Sequence, residues 1–234
     1  MNYHVRYTAT PLRAETHGSR VVAVCAGYTA NILLCDDGTC LVSGENSEGE
    51  LGLGDHEPCR DRFRRLDRPA GENIIKASTT MLNEEGLHTL FLTSAGTCFG
   101  CGNNEGNQLI FAGEDHYTSP IRLMDSGNVE DVCAGEGVSF VATRDGGDDW
   151  KLRRFGKGQY HDSQSFDCTV DINGPVIALV SRPVGEGENV LAVTSPRDSA
   201  EHVYEWIHAP DVTELNRLHE VEYELVPGPR VQDE

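Results

Sequence analysis

The chain has 234 residues, a formal net charge of −19 at pH 7 and a mean hydropathy of −0.41. This length suffices for one large all-β domain or two ordinary domains with a buried core. The charge argues against nucleic acid as a partner, because phosphates repel an acidic surface. The longest apolar run, Val21–Ala26, is too short to cross a bilayer, so we expect no membrane partner. The charge either keeps the surface soluble or attracts a basic partner.

The N-terminal residues lack the apolar core of a secretory signal. No acid precedes Glu15, and Arg6 and Arg13 are basic, which leaves a mitochondrial presequence open as one interpretation. Residues 3–7 alternate between apolar and polar side chains, as in a strand. We therefore expect a soluble intracellular protein, cytoplasmic or nuclear, with organelle import as the alternative.

A motif of two short strands around a glycine turn occupies residues 31–44 and returns at 89–102. Every position is offset by 58, so that Gly44 corresponds to Gly102. A third copy is offset by 108 at its leading strand, and a fourth is weaker. The copies are centred near residues 25–55, 85–110, 132–160 and 188–207.

Glycine at each hairpin turn permits the positive φ that such turns require. Alternating apolar side chains give each copy sheet faces that it cannot bury alone, so the copies must stack. A period near 54 residues fits one blade of a β-propeller. The sequence thus predicts an all-β fold of about four four-stranded blades over residues 1–212, followed by an acidic C-terminal extension at 213–234.

Residues 44–55 follow the pattern Gly-x-Asn-x-x-Gly-Glu-Leu-Gly-x-Gly. This segment resembles the signature of RCC1-type repeats (regulator of chromosome condensation), which has Gln where this chain has Glu50. The second copy, 102–109, keeps Gly, Asn, Gln and Leu but moves one glycine. The residues that carry or extend the resemblance are Gly44, Asn46, Gly49, Leu51, Gly52, His88, Gly102, Asn104, Gln108, Leu109 and Gly156.

The resemblance implies a non-catalytic propeller, and it implies that His88 forms a hydrogen bond with a neighbouring blade. Members of this family usually close a ring of seven blades, whereas this chain has room for about four. We therefore expect either a small propeller or a partial one whose open ends another protein covers. The second alternative is favoured, because open blade faces and strand edges are otherwise unpaired.

Eight cysteines are present, and Cys98 and Cys101 form a single Cys-x-x-Cys motif. Zinc requires two further ligands at matching spacing, which the sequence does not show. Cys98 is the repeat equivalent of Cys40, which indicates packing within strands. We expect no metal and no cofactor, and reduced thiols.

Two segments are candidates for binding a partner. The basic cluster 60–68 supplies Arg60, Arg62, Arg64 and Arg65, which either meet an acidic partner or form the solvated outer strand of a blade. The enlarged turn 144–150 supplies Asp148, Asp149 and Trp150, which project from a blade on a loop. Calcium is disfavoured at this turn, because the twelve-residue ligand spacing is missing.

The sequence leaves three functions open. The first is a non-catalytic protein–protein interaction module, or a structural subunit of a larger assembly. The second, implied by the resemblance, is guanine-nucleotide exchange on a small Ran-like GTPase. The third is an enzyme, for which the sequence shows no nucleophile–base pair and no phosphate-binding loop. We expect the first.

Overall fold

A computed structural model describes residues 14–81, 86–109, 113–124, 127–147, 149–156, 168–172, 174–184, 187–194, 202–207 and 218–221. These residues form sixteen β-strands and one 3₁₀ turn, Pro69–Gly71. None of them belongs to a helix long and apolar enough to cross a membrane. The strands form four antiparallel sheets of four strands each, and strand order in each sheet follows the chain.

The four sheets are called blades 1 to 4. Blade 1 contains β1 (Val21–Ala26), β2 (Ala30–Cys35), β3 (Cys40–Gly44) and β4 (Cys59–Leu66). Blade 2 contains β5 (Ile74–Thr79), β6 (His88–Thr93), β7 (Cys98–Asn103) and β8 (His116–Arg122). Blade 3 contains β9 (Val129–Gly135), β10 (Val138–Arg144), β11 (Trp150–Phe155) and β12 (Cys168–Ile172). Blade 4 contains β13 (Val176–Val184), β14 (Gly187–Thr194), β15 (His202–Ile207) and β16 (Leu218–Val221).

The prediction of an all-β fold built of four-stranded blades is confirmed. The turn glycines Gly38 and Gly96 have φ values of 78° and 70°, in the region that favours glycine. The last strand, β16, pairs with β15 and lies inside 213–234. Blade 4 therefore takes its fourth strand from the segment that the sequence assigned to an extension.

Three apolar clusters hold consecutive blades together. The first joins blade 1 to blade 2 and includes Ile32 and Phe91. The second joins blade 2 to blade 3, and the third joins blade 3 to blade 4. Successive side chains of a strand point to opposite faces of its sheet, so one strand contributes to two different clusters. Each inner blade is consequently buried on both faces, as the strands of blade 2 show.

Candidate partner-binding site

The signature segment of blade 1 forms a closed loop between β3 and β4. The Asn46 amide donates to the backbone oxygen of Asp55 at 2.7 Å, and its oxygen accepts from the Leu51 amide at 2.9 Å. Asn46 and Leu51 are both buried. One asparagine thus satisfies two backbone groups, of which the Leu51 amide is buried.

Blade 2 repeats this loop. Its Asn104 donates to the backbone oxygen of Glu114 at 3.0 Å and accepts from the Leu109 amide at 3.0 Å. Asn107 has a φ of 58° at the position where Gly49 has 83°. Asparagine adopts this left-handed conformation more readily than most residues other than glycine. The second loop can therefore keep the same backbone conformation although its glycine lies one position earlier.

The glutamate that replaces the family's glutamine keeps one of its contacts. Glu50 accepts from the backbone amide of Glu48 at 3.0 Å, as Gln108 accepts from that of Gly106 at 2.9 Å. Glu50 also accepts from the Thr29 hydroxyl at 3.1 Å. Burial raises the pKa of the Glu50 carboxyl above its ordinary value.

Each signature loop docks on the following blade. The backbone oxygen of Glu50 accepts from the Thr89 hydroxyl at 2.8 Å and from the Cys101 thiol at 3.5 Å. A Cβ on Gly102 would lie 3.3 Å from the Cα of Glu50. Likewise, a Cβ on Gly156 would lie 3.0 Å from the Cα of Gln108. Both glycines have a positive φ, and a Cβ at either one would also lie closer still to the backbone of its own blade, at 2.5 Å from the Leu87 oxygen and 2.4 Å from the Gly137 oxygen.

His88 lies at the junction of blades 2 and 3. Its Nε2 lies 2.9 Å from the Ser139 hydroxyl of blade 3, and its Nδ1 lies 2.8 Å from the Gly86 oxygen. This is the neighbouring-blade contact that the resemblance implies. Burial lowers the pKa of His88 to about 4.

Blade 1 has a cleft of about 760 Å³ beside its signature loop. It is lined by residues that include Tyr28, Asn31, Ser43, Gly44, Glu45 and Arg60. Tyr28 is 53% exposed, and Val24 on the neighbouring inner strand is 67% exposed. The register pairs Val24 with Leu33 and Leu33 with Leu41, so Val24 belongs to the sheet face that lies away from blade 2.

The arginine cluster forms the outer strand β4, and its members divide into two groups. Arg60 pairs with Glu45 and Arg64 with Asp55, both acids of the signature loop. Arg62 and Arg65 are exposed and have no ion-pair partner among the described residues. The first two arginines therefore form ion pairs with the loop, while the other two are exposed without an ion pair among the described residues.

Of the three residues of the acidic turn of blade 3 that were predicted to contact a partner, one is buried. Trp150 is the first residue of β11 and is only 7% exposed, because it packs between blades 3 and 4 beneath the Arg144 guanidinium. Asp149 pairs with Lys151 at 3.1 Å. Asp148 lies outside the described residues. The proposed aromatic contact at Trp150 is therefore corrected to a core residue.

Cys98 and Cys101 belong to different apolar clusters, which lie on opposite faces of blade 2. Burial raises the pKa of Cys98 to about 12 and that of Cys101 well above its ordinary value. Among the described residues, no three His, Cys, Asp or Glu side chains gather closely enough to hold a metal ion. The cleft on blade 1 is thus the strongest candidate site.

No model of a known protein family matches this chain. Human probable E3 ubiquitin-protein ligase HERC3 is 29% identical over 129 residues, which make up 54% of this chain and 12% of that protein. Human protein RCC2 is 30% identical over 128 residues, or 53% of this chain and 23% of RCC2. Both are RCC1-repeat proteins.

Solved structures share the fold. Human WBSCR16 superposes with a TM-score of 0.60 and 19% identity, covering 83% of this chain and 49% of that one. Prp20p from Saccharomyces cerevisiae, the yeast RCC1, gives 0.57 and 22% over 81% of this chain and 44% of its own. The fold of this chain is that of these β-propellers, and its sequence is similar to those of RCC1-repeat proteins.

The similarity of this chain to these proteins is distant. The chain spans about half of the two solved chains and 12–23% of the two curated relatives. Prp20p was characterised with its binding to Gsp1p and histones, and yeast RCC1 was also solved bound to Kap60. The four blades match part of a β-propeller, as the sequence predicted.

Proposed function

We propose that this RCC1-like protein is a non-catalytic interaction module that binds another protein as part of a larger assembly. The observation that carries the proposal is the exposed apolar surface of blade 1 at β1 and the residues that follow it. Tyr28, which lines the 760 Å³ cleft, is 53% exposed, and Val24 on β1 is 67% exposed. Exposed apolar groups beside a cleft are typical of protein-binding surfaces.

The chemistry of the described side chains supports a role without catalysis. His88 is fully buried, and its low pKa keeps it neutral near pH 7, so it has no access to a substrate. The thiols of Cys40 and Cys98, whose pKa burial raises to about 12, are poor sources of thiolate.

The test compares two exposed β-branched residues on the first strands of their blades in the full chain. Val24→Glu alters the exposed apolar surface of blade 1, and Ile75→Glu, at a 57% exposed position on β5 of blade 2, is the matched control. In extracts of the source cells, we expect wild type and Ile75→Glu to elute within a complex and Val24→Glu to elute at monomer size. Elution of the wild-type chain at monomer size would contradict the proposal.

Nucleotide exchange is the second candidate, and likeness in fold to Prp20p favours it. An exchange factor lowers the affinity for nucleotide by binding the nucleotide-free GTPase more tightly. The deciding measurement is release of a fluorescent guanine nucleotide from a panel of small GTPases. Acceleration by the purified chain at micromolar concentration would establish exchange, and no acceleration would remove it.

A further inference from the structure

The cleft of blade 1 has a chemistry that the repeat itself does not require. Four of its lining side chains are charged or aromatic, namely Tyr28, Glu45, Glu48 and Arg60. At an offset of 58, blade 2 has in their places Gly86, Asn103, Gly106 and Thr118. Blade 2 forms the same four-stranded sheet without them, so these four side chains are candidates for binding rather than for folding.

The charges of the cleft do not cancel completely. Arg60 donates to both carboxylate oxygens of Glu45, so these two charges neutralise each other. Glu48 accepts from the Asn103 amide at 3.2 Å and lies 2.8 Å from His116 Nδ1, and both contacts use its Oε2. Its Oε1 forms no hydrogen bond within the described part of the chain. With His116 neutral, the cleft therefore carries one uncompensated negative charge.

Two neutral side chains in the wall of the cleft also lack partners. Asn31 and Ser43 form a cross-strand pair on β2 and β3, and both line the cleft. Their equivalents in blade 2, Thr89 and Cys101, donate to the backbone oxygen of Glu50. Asn31 and Ser43 form no hydrogen bond among the described residues, although Ser43 is only 1% exposed. A hydroxyl and an amide oxygen, both able to accept, are therefore left for a ligand.

Tyr28 supplies an aromatic ring to the same cleft. It is 53% exposed, and its backbone amide donates to the Thr80 oxygen at 2.9 Å, which fixes its backbone against blade 2. The face of an aromatic ring attracts cations. A carboxylate oxygen, two neutral acceptors and an aromatic ring together match a cationic group, whereas an acidic ligand would be repelled by Glu48.

We infer that the cleft of blade 1 binds a lysine or arginine side chain that a partner protein presents on an extended segment. The cationic group donates to Glu48 Oε1 and to the oxygens of Asn31 and Ser43. Its aliphatic stem packs on the ring of Tyr28. The net charge of −19 attracts basic segments and raises their rate of association. This inference rests on the proposed function and names the chemical class of the partner.

The probes are short peptides of glycine and serine with a single arginine, lysine or glutamine at the centre. Their binding to the full chain is measured by titration, following the backbone amide signals in NMR spectra. Glu48→Gln removes the charge at constant size, and Tyr28→Leu removes the ring. Glu57→Gln removes the same charge from an exposed position on the same loop, outside the cleft, and is the matched control. Thermal unfolding of each variant checks that it is folded.

We expect saturable binding of the arginine and lysine peptides and none of the glutamine peptide. Glu48→Gln should weaken binding about tenfold, the size typical of one hydrogen bond to a charged group, and Tyr28→Leu about threefold. Glu57→Gln should leave the dissociation constant nearly unchanged. Absence of saturable binding by both basic peptides, or equal binding of the glutamine peptide, would overturn the inference. An equal loss in Glu57→Gln and Glu48→Gln would also overturn it, because net charge alone would then attract the peptide.

The proposed function and this inference fail in different ways. If Val24→Glu releases the chain from its complex while neither basic peptide binds, the interaction function stands and the cationic site does not. If the wild-type chain elutes at monomer size while the basic peptides bind in the cleft, the cationic site stands and the assembly does not.

Discussion

The junction between blades 1 and 2 and the junction between blades 2 and 3 share one backbone arrangement but bury opposite ionisable groups. At the first, Glu50 of the signature loop is buried, and desolvation raises the pKa of its carboxyl. At the second, the neutral Gln108 occupies the loop position and His88 is buried beside Ser139. The comparison teaches that asparagines and glycines fix the geometry of the repeat, while the neighbouring polar side chains set how each junction responds to pH.

The largest loss of stability is expected when the asparagine of the signature loop is replaced. Asn46→Ala leaves the Leu51 amide buried without an acceptor, and we expect it to lower the free energy of unfolding by about 3 kcal/mol. Urea denaturation measures the change, and Asn104→Ala should give a similar value. Asn128→Ala, at an exposed position, is the control. A loss below that of the control would contradict the role of Asn46.

The junction between blades 2 and 3 should contribute less to the free energy of unfolding as the pH falls. Because the pKa of His88 is about 4 when folded and about 6.5 when unfolded, the unfolded chain binds the proton first as pH falls. Its contribution is fully present above pH 6.5 and is lost towards pH 4, on the order of 2–3 kcal/mol. The difference in unfolding free energy between wild type and His88→Ala, measured across this range, should shrink as pH falls. A difference independent of pH would contradict the assignment.

The first junction should respond in the opposite direction. The folded pKa of Glu50 lies above its unfolded value, so its favourable contribution is present below the unfolded pKa and is lost as pH rises through the folded pKa. Glu50→Gln should therefore stabilise the chain by about 1 kcal/mol at pH 7 and by less near pH 4. Thr29 can then accept from the new amide, since a hydroxyl both donates and accepts. Destabilisation at pH 7 would show that the carboxylate is required.

The smallest effect is expected on the outer strand. Arg64→Ala removes a half-exposed pair with Asp55 and should cost about 0.5 kcal/mol. Arg65→Ala removes an exposed side chain and should leave the melting temperature unchanged. Scanning calorimetry of both variants separates the arginines that hold the loop from those available to a partner. A larger loss for Arg65→Ala would place it in the first group.

The sequence predicted the features that repeat and missed those set by tertiary contacts. Offsets of 58 and 108 identify equivalent residues such as Gly44 and Gly102, because the backbone geometry of each blade demands them. The burial of Trp150 was not predictable from a turn rich in Asp and Gly, since the apolar cluster that contains Trp150 joins blade 3 to Leu179 of blade 4. The pairing of Arg64 with Asp55 was equally hidden, because the loop folds back on its own outer strand.

The candidate site on blade 1 was only partly predictable, because the roles of some of its residues depend on contacts that the structure alone shows. Arg60 was singled out by its charge, whereas Asn31 and Ser43 carry no signal in a single copy of the repeat. Their meaning comes from comparing them with Thr89 and Cys101, whose hydrogen bonds only the structure reveals.

Because the signature loops of blades 1 and 2 dock on the following blade, each loop is synthesised before the residues that bind it. The loop of blade 1 is complete by Asp55, whereas its receiving residues Thr89 and Cys101 emerge from the ribosome later. Blades 2 and 3 thus each meet a finished loop from the preceding blade, so these three blades add in the order of the chain.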